Sequence, residues 1–148
     1  MYDAAGIMIG FATLSAVGLG VGKLIDRVAK KPGKPEQIPQ RVWDEHTTKN
    51  NGGPWLGFLE RSLFYGALWS GAGTLIAAWL AFKLASKWEV WKNVIRVPND
   101  QEAPNEWFAA THTFGSWILQ RFWIGTLLNL VLAMAAAAFG AFVGSLLG

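Results

Sequence analysis

The chain has 148 residues, of which 52% are hydrophobic and 16% are charged, whereas about 25% of the residues of an ordinary soluble domain carry charge. This composition argues against a soluble globular domain and favours a membrane protein. The absence of cysteine excludes disulfides, thiolate nucleophiles and cysteine-based metal sites, and the net charge of +3 suits anionic lipid headgroups.

Three runs of the chain contain no charged residue, at 4–22, 62–82 and 122–147. The last run would rise about 39 Å as a helix, which is enough to cross a hydrocarbon core of about 30 Å. We therefore predict an all-α membrane protein with one membrane domain over 1–148. The expected transmembrane helices are at about 4–24, 58–84 and 120–147, and the expected polar loops are at about 28–54 and 93–106.

The first predicted helix is rich in glycine. Gly6 and Gly10 form one G-x-x-x-G pair, and Gly18 and Gly22 form another. Pairs with this spacing allow close contact between helices, although glycine is also common in membrane helices for other reasons. Because basic residues follow the apolar run, we expect a retained membrane anchor rather than a cleaved signal peptide.

The first loop is basic and punctuated by proline and glycine, so a helix cannot continue through it. Its residues 30–51 are a candidate surface for a cytosolic protein partner. Asp44, Glu45 and His46 are adjacent there, but neighbouring residues on an irregular loop point in different directions, and His112 lies far along the chain. We therefore predict no metal site and no cofactor. Nucleic acid is not expected as a partner, because no cationic face with stacking aromatic residues stands apart from the membrane-flanking positions.

The second predicted helix is long, running unbroken over about 55–93. Aromatic and basic residues flank its apolar centre, among them Trp55, Lys83 and Lys87, as is typical of membrane interfaces. Trp69 and Trp79 fall inside the span. Because a buried indole N–H needs an acceptor, we expect both side chains to pack against another helix.

Glu60 and Arg61 are the charged residues nearest to the middle of an apolar stretch. They would be costly if they faced lipid, so they should be paired or face water. One interpretation is a gate or an ion-attracting ring at the mouth of a pore. The other is an ion pair at the membrane surface that fixes the depth of the helix.

The final span is preceded by a segment at 107–119 that we interpret as an interfacial amphipathic helix. Counting by fours along the span itself gives one face of small and polar residues, with Thr126 beside it. The residues of that face are Gly125, Asn129, Ala133, Ala137, Ala141 and Ser145. Such a face fits either tight helix packing or the lining of a pore, because small residues permit close approach and asparagine can hydrogen-bond between helices.

The two loops do not determine the sidedness of the chain. The first loop side carries eight Lys and Arg residues and the second side carries five, ending with Arg121. With three spans the majority places the first loop in the cytoplasm. If one apolar segment does not cross, both loops lie on the cytoplasmic side.

Two short patterns carry a resemblance. The sequence E-R-x-L-F begins at Glu60, and K-x-A-S-K-W begins at Lys83. Together with the stretch from Arg121 to Asn129, they resemble small uncharacterised prokaryotic integral membrane proteins. The resemblance implies a prokaryotic or phage-encoded membrane protein, and it transfers no reaction. For this multi-pass chain we expect the prokaryotic inner membrane as the location.

The sequence contains no catalytic or nucleotide-binding signature, so we predict that the chain is not an enzyme. The second span also has a small-residue face, formed by Gly66, Ser70, Thr74 and Ala78. The leading hypothesis is a homo-oligomer that forms an ion-conducting or permeabilising pore, because three small-residue faces exceed what three helices can bury in each other. The alternative is a non-enzymatic anchor or complex subunit that recruits a partner through its basic loop. A proton-coupled transporter is disfavoured, since no ionisable residue lies within the uncharged spans.

Overall fold

The structure is a computed structural model that describes residues 4–34, 36, 38, 40–47, 52–94 and 105–147. These residues form helices and connecting turns and contain no strand, which confirms the all-helical prediction. The helices within these ranges are α1 (Ala4–Gly18), α2 (Val21–Val28), α3 (Gln40–Thr47), α4 (Gly52–Trp69), α5 (Gly73–Val94) and α6 (Asn105–Leu147).

Helix α6 has 43 residues and is the central helix of the bundle. From Trp107 to Leu147 it is long and apolar enough to span a membrane, whereas α1 and α2, which meet at an angle of 47°, pass the same test only as a pair. The expected interfacial helix at 107–119 is not a separate element, because these residues are the first part of α6.

Helices α1 and α2 run antiparallel to α6. Near the start of α1, Gly6 lies against the backbone of Gly140 and Gly144, and at the other end the Trp117 indole donates a 3.3 Å hydrogen bond to the Ala29 carbonyl. The predicted close contact of a glycine-rich first helix is therefore present, with α6 as its partner inside the same chain.

The predicted unbroken helix over about 55–93, with its span at 58–84, is instead a hairpin of α4 and α5. Helix α4 ends where Gly71 adopts a φ of +71°, a conformation that glycine reaches without a steric penalty. The Ala72 amide donates to the Ala67 carbonyl at 2.9 Å and the Gly71 amide to the Leu68 carbonyl at 3.3 Å, which is the Schellman pattern of a helix C-terminus. The chain therefore reverses after α4, and α5 packs back along it.

The core of the bundle lies between α1, α4 and α6. Its buried members are Leu14, Phe64, Tyr65, Ala133 and Ala136, and Trp69 and Trp79 pack against this group. A second cluster consists of Ile38, Trp43, Phe114 and Trp117, and it attaches α3 to the first half of α6. The first loop is thus partly folded onto α6.

The hairpin brings the start of α4 and the end of α5 to the same end of the bundle as α3 and the start of α6. At the opposite end lie the start of α1, the turn at Gly71 and the end of α6. No Lys or Arg occurs in the stretches that form this opposite end, within 4–22, 62–82 and 122–147.

Candidate functional site

The bundle contains a buried group of polar and charged side chains from three helices, which we call the charge cluster. Glu60 and Arg61 on α4 are only 2% and 6% exposed, and Asn129 on α6 is 4% exposed. The members of the charge cluster are Glu60, Arg61, Trp79, Lys83, Thr126 and Asn129.

Glu60 is the centre of the charge cluster. Its Oε1 accepts a hydrogen bond of 3.2 Å from the Trp79 indole and forms an ion pair with Lys83, which lies one helical turn further along α5. Its Oε2 accepts a hydrogen bond of 2.9 Å from the Asn129 amide. One carboxylate therefore connects α4 to both α5 and α6. In a continuous helix, Lys83 would lie about 35 Å from Glu60, so this arrangement depends on the hairpin.

The two cations of the charge cluster also bind neutral oxygens on α6. Arg61 Nη1 donates to Asn129 Oδ1 at 2.9 Å, and Lys83 Nζ donates to Thr126 Oγ1 at 2.6 Å. Lys83 Nζ also lies 4.8 Å from the centre of the Phe122 ring, within the range of a cation–π contact. Asn129 uses both its acceptor and a donor, so it links the opposite charges of Arg61 and Glu60.

The Arg61 guanidinium lies against Gly18, the last residue of α1. A Cβ atom at position 18 would fall 2.6 Å from Arg61 Nε and Nη2, so the guanidinium occupies space that any other residue would take. The C-terminus of a helix carries partial negative charge, which stabilises a cation placed there. Arg61 therefore contacts α1 at the point where α1 ends and the chain turns into α2. Arg61 Nε has no hydrogen-bond partner among the described residues.

The final-span residues that we predicted as pore-lining or interface candidates divide into two groups. Thr126, Asn129 and Ala133 are buried inside the bundle, and Gly125 lies against Ile25 of α2. Ala137 is half-buried, whereas Ala141 and Ser145 are exposed. The first half of this face thus packs within the chain.

The predicted mouth charges also divide. Glu60, Arg61 and Lys83 meet in the charge cluster, whereas Lys87 is exposed outside it. Arg121 forms a 2.7 Å ion pair with Asp26 of α2 at a partly exposed position. Glu60 pairs with Lys83, a partner 23 residues away in the sequence, and the sequence interpretation did not anticipate this pair.

The sequence contained one signal for this convergence that we did not use. The run Trp69-Ser-Gly-Ala-Gly73 has glycine at the position where a helix commonly ends in the left-handed conformation. A hairpin at this point would have brought Lys83 near Glu60.

Among the described residues no group of three or more His, Cys, Asp or Glu side chains is positioned to hold a metal ion. The side chains of Glu45 and His46 lie outside the described part of the structure. The charge cluster is therefore the most developed polar site in the described ranges. Comparisons with protein-family models, with curated proteins and with solved structures found no match to this chain.

Proposed function

We propose that this chain is a multi-pass integral membrane protein that assembles with copies of itself and conducts ions, with the charge cluster on the ion path. The observation that carries the proposal is the charge cluster itself. Charged side chains are costly inside a bilayer and, where they occur, commonly belong to ion or substrate pathways.

The outer surface of the bundle supports a membrane location. Only 22% of the most apolar stretch of α6 is buried inside the bundle, whereas the core helix of a soluble protein is mostly buried. Large apolar side chains are exposed on each of the longer helices, among them Met8, Leu59, Phe82, Val131 and Phe142. A monomeric soluble protein rarely exposes so much contiguous apolar surface.

The hairpin supports a specific topology. If α4 enters the bilayer and α5 returns, both loops lie on one side and both termini on the other. All 13 Lys and Arg residues fall between positions 23 and 121, so this topology assigns none of them to the side with the termini. That distribution satisfies the positive-inside rule. The three-span topology does not, because it places eight Lys and Arg residues on one side of the membrane and five on the other.

The depth of the charge cluster supports a role in conduction. Asn129 lies seven residues after Phe122, or about 10 Å into the apolar run of α6. The break between α1 and α2 lies beside it, and broken helices at membrane depth are typical of ion and substrate sites. The sequence analysis disfavoured a proton-coupled transporter because no ionisable residue lies within the uncharged spans. The hairpin removes that objection to ion transport, because it brings Glu60 and Lys83 together into the apolar layer.

The exposed face of the hairpin supports self-association. The sequence left open whether the small face of the final span packs tightly or lines a pore, and α1 covers Gly140 and Gly144 of the same helix. In the described part of the structure the small residues of the hairpin are exposed, and a second copy is the occupant that we propose for them. The exposed small residues of the hairpin are Gly66, Ser70, Thr74, Ala77, Ala78 and Ala81.

The test is conductance of the purified protein in planar bilayers. We expect discrete current steps from the wild type. Lys83→Met keeps the length of the side chain but removes a charge from the cluster, so it should change the unit conductance. Lys23→Met is the matched control, because Lys23 is exposed on α2 and is not a member of the charge cluster.

Two results would overturn this function. One is the absence of any current or ion flux from protein shown to be inserted in the bilayer. The other is an equal conductance of Lys83→Met and wild type when both elute from detergent as the same oligomer.

A second function, that of a membrane anchor or complex subunit, is favoured by the docking of α3 onto α6. Trp43 stacks on Phe114 with ring centres 5.3 Å apart, and Lys31 lies 4.8 Å above the Trp43 ring. These contacts give part of the basic loop a fixed surface for a cytosolic partner. Charge reversal at Lys30 and Lys34 should then abolish co-purification of a partner from native membranes, and recovery of the same partner with both variants would exclude this role.

A further inference from the structure

A groove of about 210 Å³ opens to the surface between α1 and α6. Leu14 and Ala136 form its floor and are buried, whereas Val17 and Phe139 form its rim and are 51% and 44% exposed. Ala135 also lines the groove and is exposed. Pockets that hold compact ligands are commonly about 300–1,000 Å³. The groove is smaller than these and open along one side, so it suits a narrow chain.

The groove offers contacts only to an apolar occupant. The only hydroxyl among its lining residues, that of Thr13, donates a 2.9 Å hydrogen bond to the Ile9 carbonyl of its own helix. On α6 the groove extends from Leu132 to Phe139, which is about 15–26 Å beyond Phe122 at the start of the apolar run. Because a hydrocarbon core is about 30 Å thick, this depth lies around the bilayer midplane, where the surrounding molecules are acyl chains.

Helix α2 meets α6 on the face that lines the groove, at the end nearer to the loops. Arg121 precedes Phe139 by about five helical turns, so the two residues share one face of α6. Arg121 forms a 2.7 Å ion pair with Asp26 of α2. From Arg121 to Leu132, where the groove begins on α6, is about 16 Å, close to the roughly 15 Å of hydrocarbon in one leaflet.

Helix α2 leaves positive charge at this end of the groove. Arg27 and Lys30 are exposed there. Asp26 is the one carboxylate of α2 and is paired with Arg121, and Arg27 forms no ion pair with any described residue. Val28 of the same helix is 61% exposed. A helix with exposed apolar and basic side chains is typical of a membrane interface, where basic residues attract anionic headgroups.

We propose that one anionic phospholipid binds across α1, α2 and α6, with its phosphate at Arg27 and the end of one acyl chain in the groove. The lipid belongs to the leaflet on the side of both loops, and the proposal rests on the membrane location proposed above. A free phosphate would leave the groove empty, so the two parts of the site together identify a lipid. The groove is lined by α1 and α6 alone, so it is separate from the hairpin face that we assign to self-association.

The experiment is a lipid titration of the purified full-length protein in detergent, followed by native mass spectrometry. Phosphatidylglycerol and phosphatidylcholine with identical acyl chains are compared, so only the charge and chemistry of the headgroup differ. We expect the wild type to bind one phosphatidylglycerol per chain at low lipid concentration. Its apparent Kd should be about fivefold lower than that for phosphatidylcholine, as for one basic residue near an anionic headgroup.

Ala135→Phe tests the groove, because it places a ring there without altering any charge. We expect the apparent Kd for both lipids to rise by about fivefold or more, since the displaced chain loses on the order of ten atom contacts. Ala138→Phe is the matched control. Ala138 is exposed on the same helix and does not line the groove, so this variant should bind both lipids as the wild type does.

Arg27→Gln tests the headgroup site. We expect the apparent Kd for phosphatidylglycerol to rise by about fivefold while that for phosphatidylcholine stays unchanged. Lys87→Gln is the control for the loss of one charge, because Lys87 is exposed on α5, which does not border the groove. It should retain the preference for phosphatidylglycerol.

The proposal is wrong if the wild type binds the two lipids equally, or if Ala135→Phe and Ala138→Phe bind lipid with the same affinity. It is also wrong if Ala135→Phe changes the oligomeric state and leaves lipid binding intact, because the occupant would then be a second copy of the chain.

Lipid binding and conduction can fail separately. If phosphatidylglycerol binds with the expected preference but no current is measured, the lipid site stands and the pore does not. If current is measured but the lipids bind equally, the pore stands and the lipid site is excluded. Recovery of the folded protein in the soluble fraction of cells would overturn the membrane location and the lipid site together.

Discussion

The seam between α1 and α6 and the charge cluster are two ways of joining helices within one bundle. In the seam, glycines let two backbones touch, with Gly6 against Gly140 and Gly144. In the charge cluster, glycine instead makes room for a side chain, because Gly18 accommodates the Arg61 guanidinium. The same residue type therefore serves steric packing at one end of α1 and an electrostatic contact at the other.

The two regions also differ in what holds them. The seam depends on van der Waals contact over many small groups, none of which is indispensable alone. The charge cluster depends on a few strong interactions that share Glu60, so removing one member leaves the others buried and unpaired. We therefore expect single substitutions to act more strongly in the cluster than in the seam.

The largest expected effect concerns the hairpin on which the charge cluster depends. The chain has no native cysteine, so single cysteines can be introduced at Gly53 and Lys87, both exposed and at the two ends of the hairpin. A membrane-impermeant thiol reagent should label both from the same side, and Ser145→Cys from the opposite side. A continuous helix would separate the first two positions by about 51 Å and place them on opposite sides, which would exclude the hairpin.

The next effect tests the charge cluster against an exposed ion pair. Glu60→Ala should lower the free energy of unfolding by about 3–5 kcal/mol, because it leaves Arg61 and Lys83 buried without a carboxylate. Asp26→Ala breaks the partly exposed pair with Arg121 and should cost at most about 1 kcal/mol. Equilibrium unfolding in mixed micelles measures the loss of unfolding free energy in both variants. Equal losses would show that the charge cluster contributes no more to stability than an exposed ion pair.

The seam should respond to substitution by a smaller amount. At Gly140 a Cβ atom would lie 2.5 Å from the Gly6 carbonyl oxygen and 3.3 Å from the Gly10 Cα, so Gly140→Ala should destabilise the protein by about 1–3 kcal/mol. Gly22→Ala meets no atom within 4 Å and should be neutral or stabilise the protein by about 0.5 kcal/mol through helix propensity. A loss of stability in Gly22→Ala equal to that in Gly140→Ala would argue against close packing at the seam.

The smallest effect concerns one hydrogen bond at which α4 meets α1. Tyr65 donates a 2.7 Å hydrogen bond to the Ile7 carbonyl. Tyr65→Phe should cost about 0.5–1.5 kcal/mol in the same unfolding assay. Ser145→Ala is the comparison, because its hydroxyl bonds an exposed carbonyl of its own helix and should contribute almost nothing.

Much of the helical content could be predicted from the chain alone. The lengths of the uncharged runs predicted α1 and the apolar half of α6, and the glycine spacing predicted a close contact of α1 with another helix. The small face of α6 also pointed to a helix interface, but its partner could not be identified, since many helices fit a row of small residues equally well. Glu60 and Arg61 were recognised as costly charges in an apolar stretch and Lys83 as a membrane-interface residue, but the sequence did not connect Lys83 with Glu60.

The sequence by itself determined the helical character and the apolar surface. It also determined that every Lys and Arg residue lies between positions 23 and 121. The tertiary structure decided that the chain reverses at Gly71 and that Lys83 meets Glu60. The physical reason is that hydrophobic runs and helix propensities are local properties, whereas a reversal depends on a single residue with positive φ and on a partner 23 residues away. Once that turn forms, burial makes the pairing of Glu60 with Lys83 obligatory, because neither charge is stable alone in the interior.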